Sequence, residues 1–238
     1  MIKTLLFDLD GTLLGIDMRI FLQKYFISLS SIMTEYIPQE VFIPKLMSAT
    51  EEMIKNDEPT KTNKEVFIDS FFTDLALTPK ELMPIFDNFY KNNFPTLEKY
   101  SQFKPSAPPL LESAINLGYE IVIATNPVFP KEAIFERLKW AGVSNFKYAL
   151  VTSYENMHYC KPNLNYYWEI LRTIEREPQE CVMIGNDVDE DMVAKNIEMQ
   201  TYLVDDFLIN RSNTDYSGDY KGDLKEVEKV ITKLKEEI

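Results

Sequence analysis

Cysteine and long apolar runs are both scarce in this chain of 238 residues. Its only cysteines, Cys160 and Cys181, do not form a CxxC motif, so we expect neither a disulfide framework nor a zinc site. Isolated thiols of this kind suit a reducing compartment. No run of about eighteen apolar residues occurs, and the apolar start, MIKTLLFDLDG, is soon interrupted by aspartates. We therefore expect a cytoplasmic protein with no signal peptide and no membrane partner.

Basic residues are also in short supply. The chain has 25 lysines and arginines against 38 aspartates and glutamates, which gives a formal net charge of −13. Because no Lys/Arg-rich run offsets this charge, the surface repels phosphate backbones, and we expect no nucleic-acid partner. A hydrophobic content of 45% with 26% charged residues is typical of a folded globular protein. We expect it to work as a monomer or a homodimer.

Strand-like and helical patterns alternate over most of the chain. Short apolar runs typical of strands occur at Ile2–Phe7, Tyr119–Thr125, Tyr148–Thr152, Cys181–Ile184 and Thr201–Val204. The helical patterns are Pro109–Leu117, Lys131–Trp140, Asn163–Glu175, Asp189–Ile197 and Leu224–Leu234. This alternation predicts an α/β fold with a parallel sheet. Continuous apolar runs such as EIVIAT further indicate strands that are buried on both faces.

Residues 16 to about 100 contain no convincing strand and carry four helical patterns instead. These patterns cover Ile20–Tyr36, Val41–Ile54, Lys64–Ala76 and Lys80–Phe94. Each has apolar residues three and four positions apart, and two of the starts are capping boxes, Thr62 with Glu65 and Thr78 with Glu81. The sequence therefore predicts a helical module inserted after the first strand, with the α/β core resuming near Lys104.

Two aspartates, Asp8 and Asp10, stand one residue apart where the first predicted strand ends at a Gly-Thr turn. Like charges at this spacing repel each other, and each carboxylate loses hydration at the end of a buried strand. Packing does not account for such a pair, whereas a divalent cation or phosphate chemistry does.

Polar and acidic segments also follow the other predicted strands. The four segments are FDLDGTL after the first strand, ATN after the second, CKPN beyond the third and GNDVDED after the fourth. Ligands gather at the carboxyl ends of the strands in a parallel sheet, so we expect these segments to meet at one edge. Their oxygen ligands suit Mg²⁺, while a lysine and a threonine can hold a phosphoryl group.

DxDGT and the three later segments, in this order, resemble the haloacid dehalogenase-like hydrolase superfamily. The resemblance extends over nearly the whole chain, and DxDGT is its most specific part. It implies a Rossmann-like α/β core at residues 1–14 and 105–238, with an inserted all-helical cap domain of the C1 type at residues 15–104. It also implies an Mg²⁺-dependent phosphatase, because most members of the superfamily have this activity.

The resemblance also implies a role for each matching residue. Asp8 corresponds to the nucleophile that forms an aspartyl-phosphate, and Asp10 to the general acid and base. The Mg²⁺ ion is expected to bind Asp8 and the backbone carbonyl of Asp10. Thr125 and Asn126 would hold the phosphoryl oxygens, and Lys161 would neutralise charge on the phosphate and on Asp8.

The GNDVDED segment departs from the commonest pattern of the superfamily. Many relatives have Asp directly after the glycine, where this chain has Asn186, with Asp187 one position later. Metal chemistry favours the carboxylate of Asp187, whereas the register favours the amide oxygen of Asn186. We predict Asp187 as the ligand and keep Asn186 as its rival. Asp191 is expected to orient the ligands without binding the metal itself.

The alternatives to a phosphatase are other enzymes of the superfamily and a non-catalytic protein. Asp10 argues against dehalogenase chemistry, because the dehalogenases of the superfamily lack the second aspartate. A sugar-phosphate mutase retains both aspartates and is the nearest enzymatic alternative; a non-catalytic phosphate-binding or interaction protein is the alternative from another class. A helical cap leaves room for a small molecule but obstructs a folded protein or a duplex. We therefore expect a small phosphorylated metabolite as the substrate, such as a nucleoside monophosphate or a sugar phosphate.

Overall fold

Eight strands are present in the computed structural model, which describes residues 1–215 and 218–236. They are β1 (Thr4–Phe7), β2 (Leu14–Gly15), β3 (Gln102–Phe103), β4 (Glu120–Ile123), β5 (Leu150–Val151), β6 (Cys181–Gly185), β7 (Gln200–Val204) and β8 (Tyr220–Gly222). Six of them form one parallel sheet in the order β5-β4-β1-β6-β7-β8, and β2 pairs with β3 in an antiparallel ribbon. This topology confirms the predicted Rossmann-like α/β fold.

Eight α-helices accompany these strands in the described residues. They are α1 (Met18–Met33), α2 (Gln39–Lys55), α3 (Asn63–Phe72), α4 (Pro79–Asn92), α5 (Ala107–Asn116), α6 (Lys131–Trp140), α7 (Leu164–Ile174) and α8 (Val227–Glu236). Each coincides with a predicted helix apart from small shifts at its ends. None of the described helices is both long and apolar enough to cross a membrane.

The predicted helix Asp189–Ile197 is only partly present. Met192–Ile197 forms a short 3₁₀ helix, and the residues directly before it form a turn. The Asp187 carboxylate accepts hydrogen bonds from the backbone N–H groups of Asp189 and Glu190, at 2.9 and 3.0 Å. These bonds stabilise the turn that precedes the helical residues, which begin only at Met192.

The sequence patterns do not predict β2, β3 or β8. These strands are two or three residues long, and β8 has the sequence YKG. Such short segments contain neither an apolar run nor the alternation that marks a strand. Pairing with their neighbours, which depends on the tertiary structure, keeps them extended.

The central strand β1 is buried along its whole length. Leu5 and Phe7 pack into the larger core on one face of the sheet, and Leu6 packs into a second core on the other face. Successive side chains of a strand point to opposite faces, so a strand covered on both sides must be apolar throughout. The carboxyl end of β1 is therefore enclosed by protein, and polar groups placed there lose much of their hydration.

Helices α1 to α4 lie between β2 and β3 and share an aromatic core. Phe71 makes edge contacts with Phe42 and Phe86, with ring centroids 6.1 and 5.7 Å apart. Both predicted capping boxes are present, at the starts of α3 and α4. Each cap typically contributes about 1 kcal/mol to helix stability. The helical insert in the predicted fold is thus confirmed, while its ends at residues 15 and 104 stay a prediction.

The inserted helices also contact the core away from the β2–β3 ribbon. Asn63, the first residue of α3, is fully buried. Its side-chain amide donates hydrogen bonds to the carbonyl oxygens of Pro127 and Tyr159, both at 3.3 Å. Its backbone N–H donates to the carbonyl of Met157 at 2.8 Å. Because Pro127 follows β4, these bonds attach the insert to the carboxyl edge of the sheet.

Candidate active site

The segments after β1, β4 and β6 meet at one edge of the sheet and line a cavity of about 240 Å³. The predicted site residues in its wall are Asp8, Asp10, Thr125, Asn126, Asn186, Asp187 and Asp191. Lys161 is in direct contact with Asp8. Met18 and Leu22 of α1 form another part of the wall, so the helical insert covers this edge. The structure brings all the predicted site residues together.

A tight turn after β1 sets the directions of Asp8 and Asp10. Gly11 has a φ of +89°, a left-handed conformation that residues with a Cβ rarely adopt. A Cβ at this position would lie 2.3 Å from the side-chain nitrogen of Asn186. Thr12 donates a hydrogen bond to the Asn186 oxygen at 3.0 Å and reaches Asp8 at 3.4 Å. The glycine and threonine of DxDGT therefore shape the turn on which both aspartates stand.

Lys161 is held between two carboxylates in the interior. Its Nζ lies 3.0 Å from Oδ1 of Asp8 and 2.5 Å from Oδ1 of Asp191, and the residue is only 1% exposed. Asp191 also accepts a hydrogen bond from the backbone N–H of Asp187 at 3.0 Å. A Cβ on Gly185 would lie 2.1 Å from Asp191 Oδ2, so only glycine leaves room for this carboxylate. Asp191 thus positions Lys161 against Asp8.

The ionisation of this trio follows from its burial. Desolvation raises the pKa of Asp8 well above its usual value, although the charge of Lys161 opposes the shift. Desolvation lowers the pKa of Lys161, but the carboxylates of Asp191 and Asp8 outweigh it, and the net shift is upward. The lysine therefore stays charged, and its positive charge favours the ionised form of Asp8 against the effect of burial.

Arg137 is a site residue that belongs to none of the sequence motifs. It lies on α6, is 1% exposed, and forms an ion pair between its Nη1 and Oδ2 of Asp10. Its guanidinium stands 4.5 Å from the centre of the Phe129 ring. Burial raises the pKa of Asp10, and Arg137 offsets part of that rise. Its signal in the sequence is its place three residues after Ile134, which puts an arginine on the buried face of a helix.

Asn186 and Asp187 differ in what their side chains contact. The Asn186 amide is engaged at both atoms, because Oδ1 accepts from Thr12 and Nδ2 donates to the Phe207 carbonyl at 2.7 Å. Asp187 presents its carboxylate in the cavity wall, with Oδ2 at 2.9 Å from Nη2 of Arg211. Burial raises the pKa of Asp187, and Arg211 only partly opposes this. Arg211 is half exposed, so the partner of Asp187 is the more readily displaced of the two.

Thr125 and Asn126 are fixed by bonds to neighbouring loops. The hydroxyls of Thr152 and Tyr166 donate to the Thr125 carbonyl at 2.7 and 2.9 Å. Oδ1 of Asn126 accepts from the backbone N–H of Lys161 at 3.3 Å. The Asn126 side chain therefore joins the loop after β4 to the loop that carries Lys161.

Negative charge exceeds positive charge at this site. Its carboxylates are Asp8, Asp10, Asp187, Glu190 and Asp191, and the cations that contact them are Lys161, Arg137 and Arg211. One oxygen of Asp10, Oδ1, is buried without a hydrogen-bond partner among the described residues. Buried carboxylates in excess, one of them partly unpaired, are the environment in which a hard divalent cation is stabilising.

The donor set can be compared with what Mg²⁺ needs. In the part of the chain that the structure describes, no three acidic, histidine or cysteine side chains are grouped closely enough to hold a metal by themselves. Mg²⁺ requires fewer, because it usually takes one or two carboxylates together with water and substrate phosphate. Asp8 and Asp187 supply two carboxylates in one cavity wall, so the residues present fit this ion.

Comparison with known families agrees with this geometry. The family model described as haloacid dehalogenase-like hydrolase matches residues 2–196. A curated relative, the glyceraldehyde 3-phosphate phosphatase of Methanothermobacter thermautotrophicus, is 31% identical over 101 residues. That alignment spans 42% of this chain and 43% of the relative, which is less than half of each protein.

Solved structures resemble the chain over nearly its whole length. A HAD phosphatase from Thermococcus onnurineus has a TM-score of 0.60 and 20% identity, and the match covers 97% of this chain and 98% of that one. A 2-haloacid dehalogenase from Pseudomonas syringae has a TM-score of 0.63 and 17% identity, covering 98% and 100%. At these identities the likeness establishes the fold alone. Because the family match runs from β1 through the acidic segment after β6, this chain belongs to the haloacid dehalogenase-like hydrolase family.

Proposed function

We propose that this protein is an Mg²⁺-dependent phosphatase that hydrolyses small phosphorylated metabolites through an aspartyl-phosphate on Asp8. One observation carries the proposal: Asp8 ends the central strand 3.0 Å from a buried lysine, with the carboxylate of Asp10 in the same cavity wall. A dehalogenase has no use for the second aspartate. The phosphatase named among the relatives supports the same reaction class.

In the first half of the reaction, an oxygen of Asp8 attacks phosphorus while the bond from phosphorus to the ester oxygen breaks. Asp10 gives its proton to the departing oxygen, which leaves as an alcohol. Burial raises the pKa of Asp10, and this favours the protonated form that the step requires. Arg137 forms an ion pair with Asp10, and this contact fixes the carboxyl group in the cavity wall.

In the second half, water attacks the phosphorus of the aspartyl-phosphate and the bond to Asp8 breaks. Asp10, now ionised, takes the proton from that water, and inorganic phosphate leaves. Asp8 and Asp10 are thereby returned to their starting protonation states. Lys161 stays charged throughout, because its pKa is raised, and stabilises the negative charge on Asp8 and on the phosphoryl oxygens. Thr125 and Asn126, which lie in the same cavity wall, bind the same oxygens.

We propose that Asp8, Asp187 and the backbone carbonyl of Asp10 hold the metal, with Asp191 orienting Asp187 and Lys161. When bound, Mg²⁺ supplies positive charge that offsets the phosphoryl oxygens and the excess of carboxylates. Asn186 is the weaker candidate, because Thr12 and the Phe207 carbonyl already engage both atoms of its amide. The Asp187 carboxylate is also engaged, by the half-exposed Arg211 and by the backbone N–H groups of Asp189 and Glu190, but it carries the negative charge that Mg²⁺ prefers in a ligand.

We also propose a cytoplasmic location, a monomeric or homodimeric state, and domain limits of 1–14 with 105–238 for the core and 15–104 for the cap. The location is supported by Cys160 and Cys181, which are both buried as free thiols. The domain limits are supported by the β2–β3 ribbon, because its strands lie at the two ends of the helical insert.

The test is hydrolysis of p-nitrophenyl phosphate with Mg²⁺ by the wild-type protein and by Asp8→Asn. The variant should retain its thermal unfolding transition and lose about 10³-fold or more in kcat, because an amide cannot attack phosphorus. Arg176→Met, which changes an ion pair with Glu120 at the opposite end of β4, is the control and should keep wild-type activity. Activity retained by Asp8→Asn, or undiminished in excess EDTA, would refute the proposal. An inert wild-type protein that still binds phosphate would indicate the non-catalytic alternative.

A further inference from the structure

A second cavity, of about 290 Å³, lies beside the candidate active site. Its walls come from α1 to α4 and from the loop after β4. Four residues, Met18, Leu22, Val128 and Phe129, line both this cavity and the cavity that holds Asp8. The two spaces are therefore adjacent and have these four side chains in common.

The lining of the second cavity is apolar. None of the described residues that line it carries a charge. The hydroxyl of Thr50 is engaged with the Leu46 carbonyl at 2.8 Å, and the hydroxyls of Tyr25 and Tyr90 bond each other at 2.7 Å. A sugar or nucleoside placed here would lose hydrogen bonds to water and find few in return, which is unfavourable for each hydroxyl buried. Alkyl or aromatic carbon would gain from the same burial.

The cavity is also reachable from solvent. Met47 and Ile54, both on α2 and both in its wall, are 49% and 37% exposed. Their side chains mark an opening through which a ligand can enter from the side of the helical insert. A cavity of about 150 Å³ holds one benzene molecule, so a volume near twice that holds a group of roughly ten to twelve carbon atoms.

We infer that the substrate is a phosphomonoester whose leaving group is apolar, an alkyl or aryl alcohol of up to about ten carbon atoms. The inference rests on the proposed function and narrows it, since it disfavours sugar phosphates and nucleoside monophosphates among small phosphorylated metabolites. The phosphoryl group binds at Asp8 and Lys161, and the carbon chain lies among Leu22, Phe129 and the α2 side chains. Reaction then proceeds as described, with the apolar alcohol leaving through the second cavity.

The direct test compares primary alkyl phosphates, because their leaving alcohols have nearly the same acidity. We expect kcat/KM with Mg²⁺ to rise about fourfold for each methylene group from ethyl to hexyl phosphate, mainly through KM. Glycerol 1-phosphate, with hydroxyls on its short chain, should be no better than ethyl phosphate. Equal rates along the alkyl series, or a preference for the polyol phosphate, would overturn the inference while leaving the phosphatase proposal intact.

Two variants on α2 test whether the alkyl chain binds in the second cavity. Thr50→Asp places a carboxylate in the second cavity and should reduce kcat/KM for hexyl phosphate to the level of ethyl phosphate. Ser48→Asp makes the same charge change on the same helix, away from the cavity, and should preserve the alkyl series. If both variants keep the preference for hexyl phosphate, the chain binds elsewhere and the inference is wrong.

A binding experiment separates failure of the inference from failure of the proposed function. Hexylphosphonate and ethylphosphonate are titrated calorimetrically into the wild-type protein with Mg²⁺, since neither can be hydrolysed. Tighter binding of hexylphosphonate without turnover of any phosphate ester would support the apolar site and refute the phosphatase. Turnover with equal binding of the two phosphonates would refute the apolar site alone, and absence of both would refute both.

Discussion

At the scale of single residues, the site depends on cations that neutralise its aspartates. Lys161 serves Asp8, Arg137 serves Asp10, and Arg211 contacts Asp187. The first pair follows from the sequence, because Lys161 matches a known position of the family pattern. The other two cannot be found that way, since no motif marks them and their partners lie 127 and 24 residues away. Such long-range ion pairs can be identified only when the fold shows which carboxylates the arginines face.

Arg137 provides a prediction at this scale. Arg137→Met removes the charge that partly offsets the burial of Asp10, so the pKa of Asp10 should rise further. The alkaline limb of the kcat/KM profile, where Asp10 must still carry its proton, should therefore move to higher pH, and kcat should fall about 10-fold or more because Asp10 is no longer held in place. The measurement is the pH dependence of p-nitrophenyl phosphate hydrolysis.

The control for this variant is again Arg176→Met, whose guanidinium pairs with Glu120 rather than with a site residue. Its pH profile should match that of the wild-type protein. An unchanged profile and an unchanged kcat in Arg137→Met would show that Arg137 merely fills space beside Phe129.

At the scale of elements, the sheet and most helices could be predicted because they have long, clear patterns. β1 reads as a strand since both of its faces are buried, and α3 and α4 begin at capping boxes that local sequence determines. The segment Asp189–Ile197 has a helical apolar pattern, but it begins with a turn that the Asp187 side chain stabilises and is helical, as a 3₁₀ helix, only from Met192. A long-range partner is equally needed to extend β8. Local sequence therefore determines the elements that have long apolar patterns or local caps. Tertiary contacts determine the short elements such as β8.

The link between the insert and the core gives a prediction at this scale. Asn63→Ala removes the amide that bonds the carbonyls of Pro127 and Tyr159 and leaves both buried acceptors without that donor. The free energy of unfolding should fall by about 1–3 kcal/mol. Urea denaturation followed by circular dichroism measures this change.

Asn92→Ala is the matched control, because Asn92 is an exposed residue of α4 whose amide bonds only the neighbouring Asn88 side chain. Its unfolding free energy should stay within about 0.5 kcal/mol of wild type. Equal stability of Asn63→Ala and Asn92→Ala would mean that α3 contributes nothing to holding the insert on the core.

At the scale of the whole molecule, grouping carboxylates at one edge of the sheet is destabilising. This destabilisation should appear in the pH dependence of the free energy of unfolding. Burial raises the pKa of Asp8, Asp10 and Asp187 in the folded protein. In the folded state these groups bind protons more tightly than in the unfolded chain, where carboxyl groups titrate at about pH 4. Stability of the metal-free protein should therefore increase as pH falls from about 7.5 to about 5.5.

Urea denaturation in EDTA at these two pH values measures the effect. Adding Mg²⁺ should diminish it, because a bound cation stabilises the ionised carboxylates. A metal-free protein that loses stability on acidification in this range would contradict the description of the site as a cluster of acids that its cations only partly neutralise.

The proposed mechanism depends on a covalent bond between Asp8 and the phosphoryl group. The most direct measurement is mass spectrometry of protein that is quenched in acid during turnover of p-nitrophenyl phosphate with Mg²⁺ and then digested with pepsin, because an aspartyl-phosphate survives best in acid. The proposed mechanism predicts one added phosphoryl group on the peptide that contains Asp8, located at Asp8 and absent from Asp8→Asn. Rapid turnover with that peptide unmodified, or with the phosphoryl group on another residue, would contradict it.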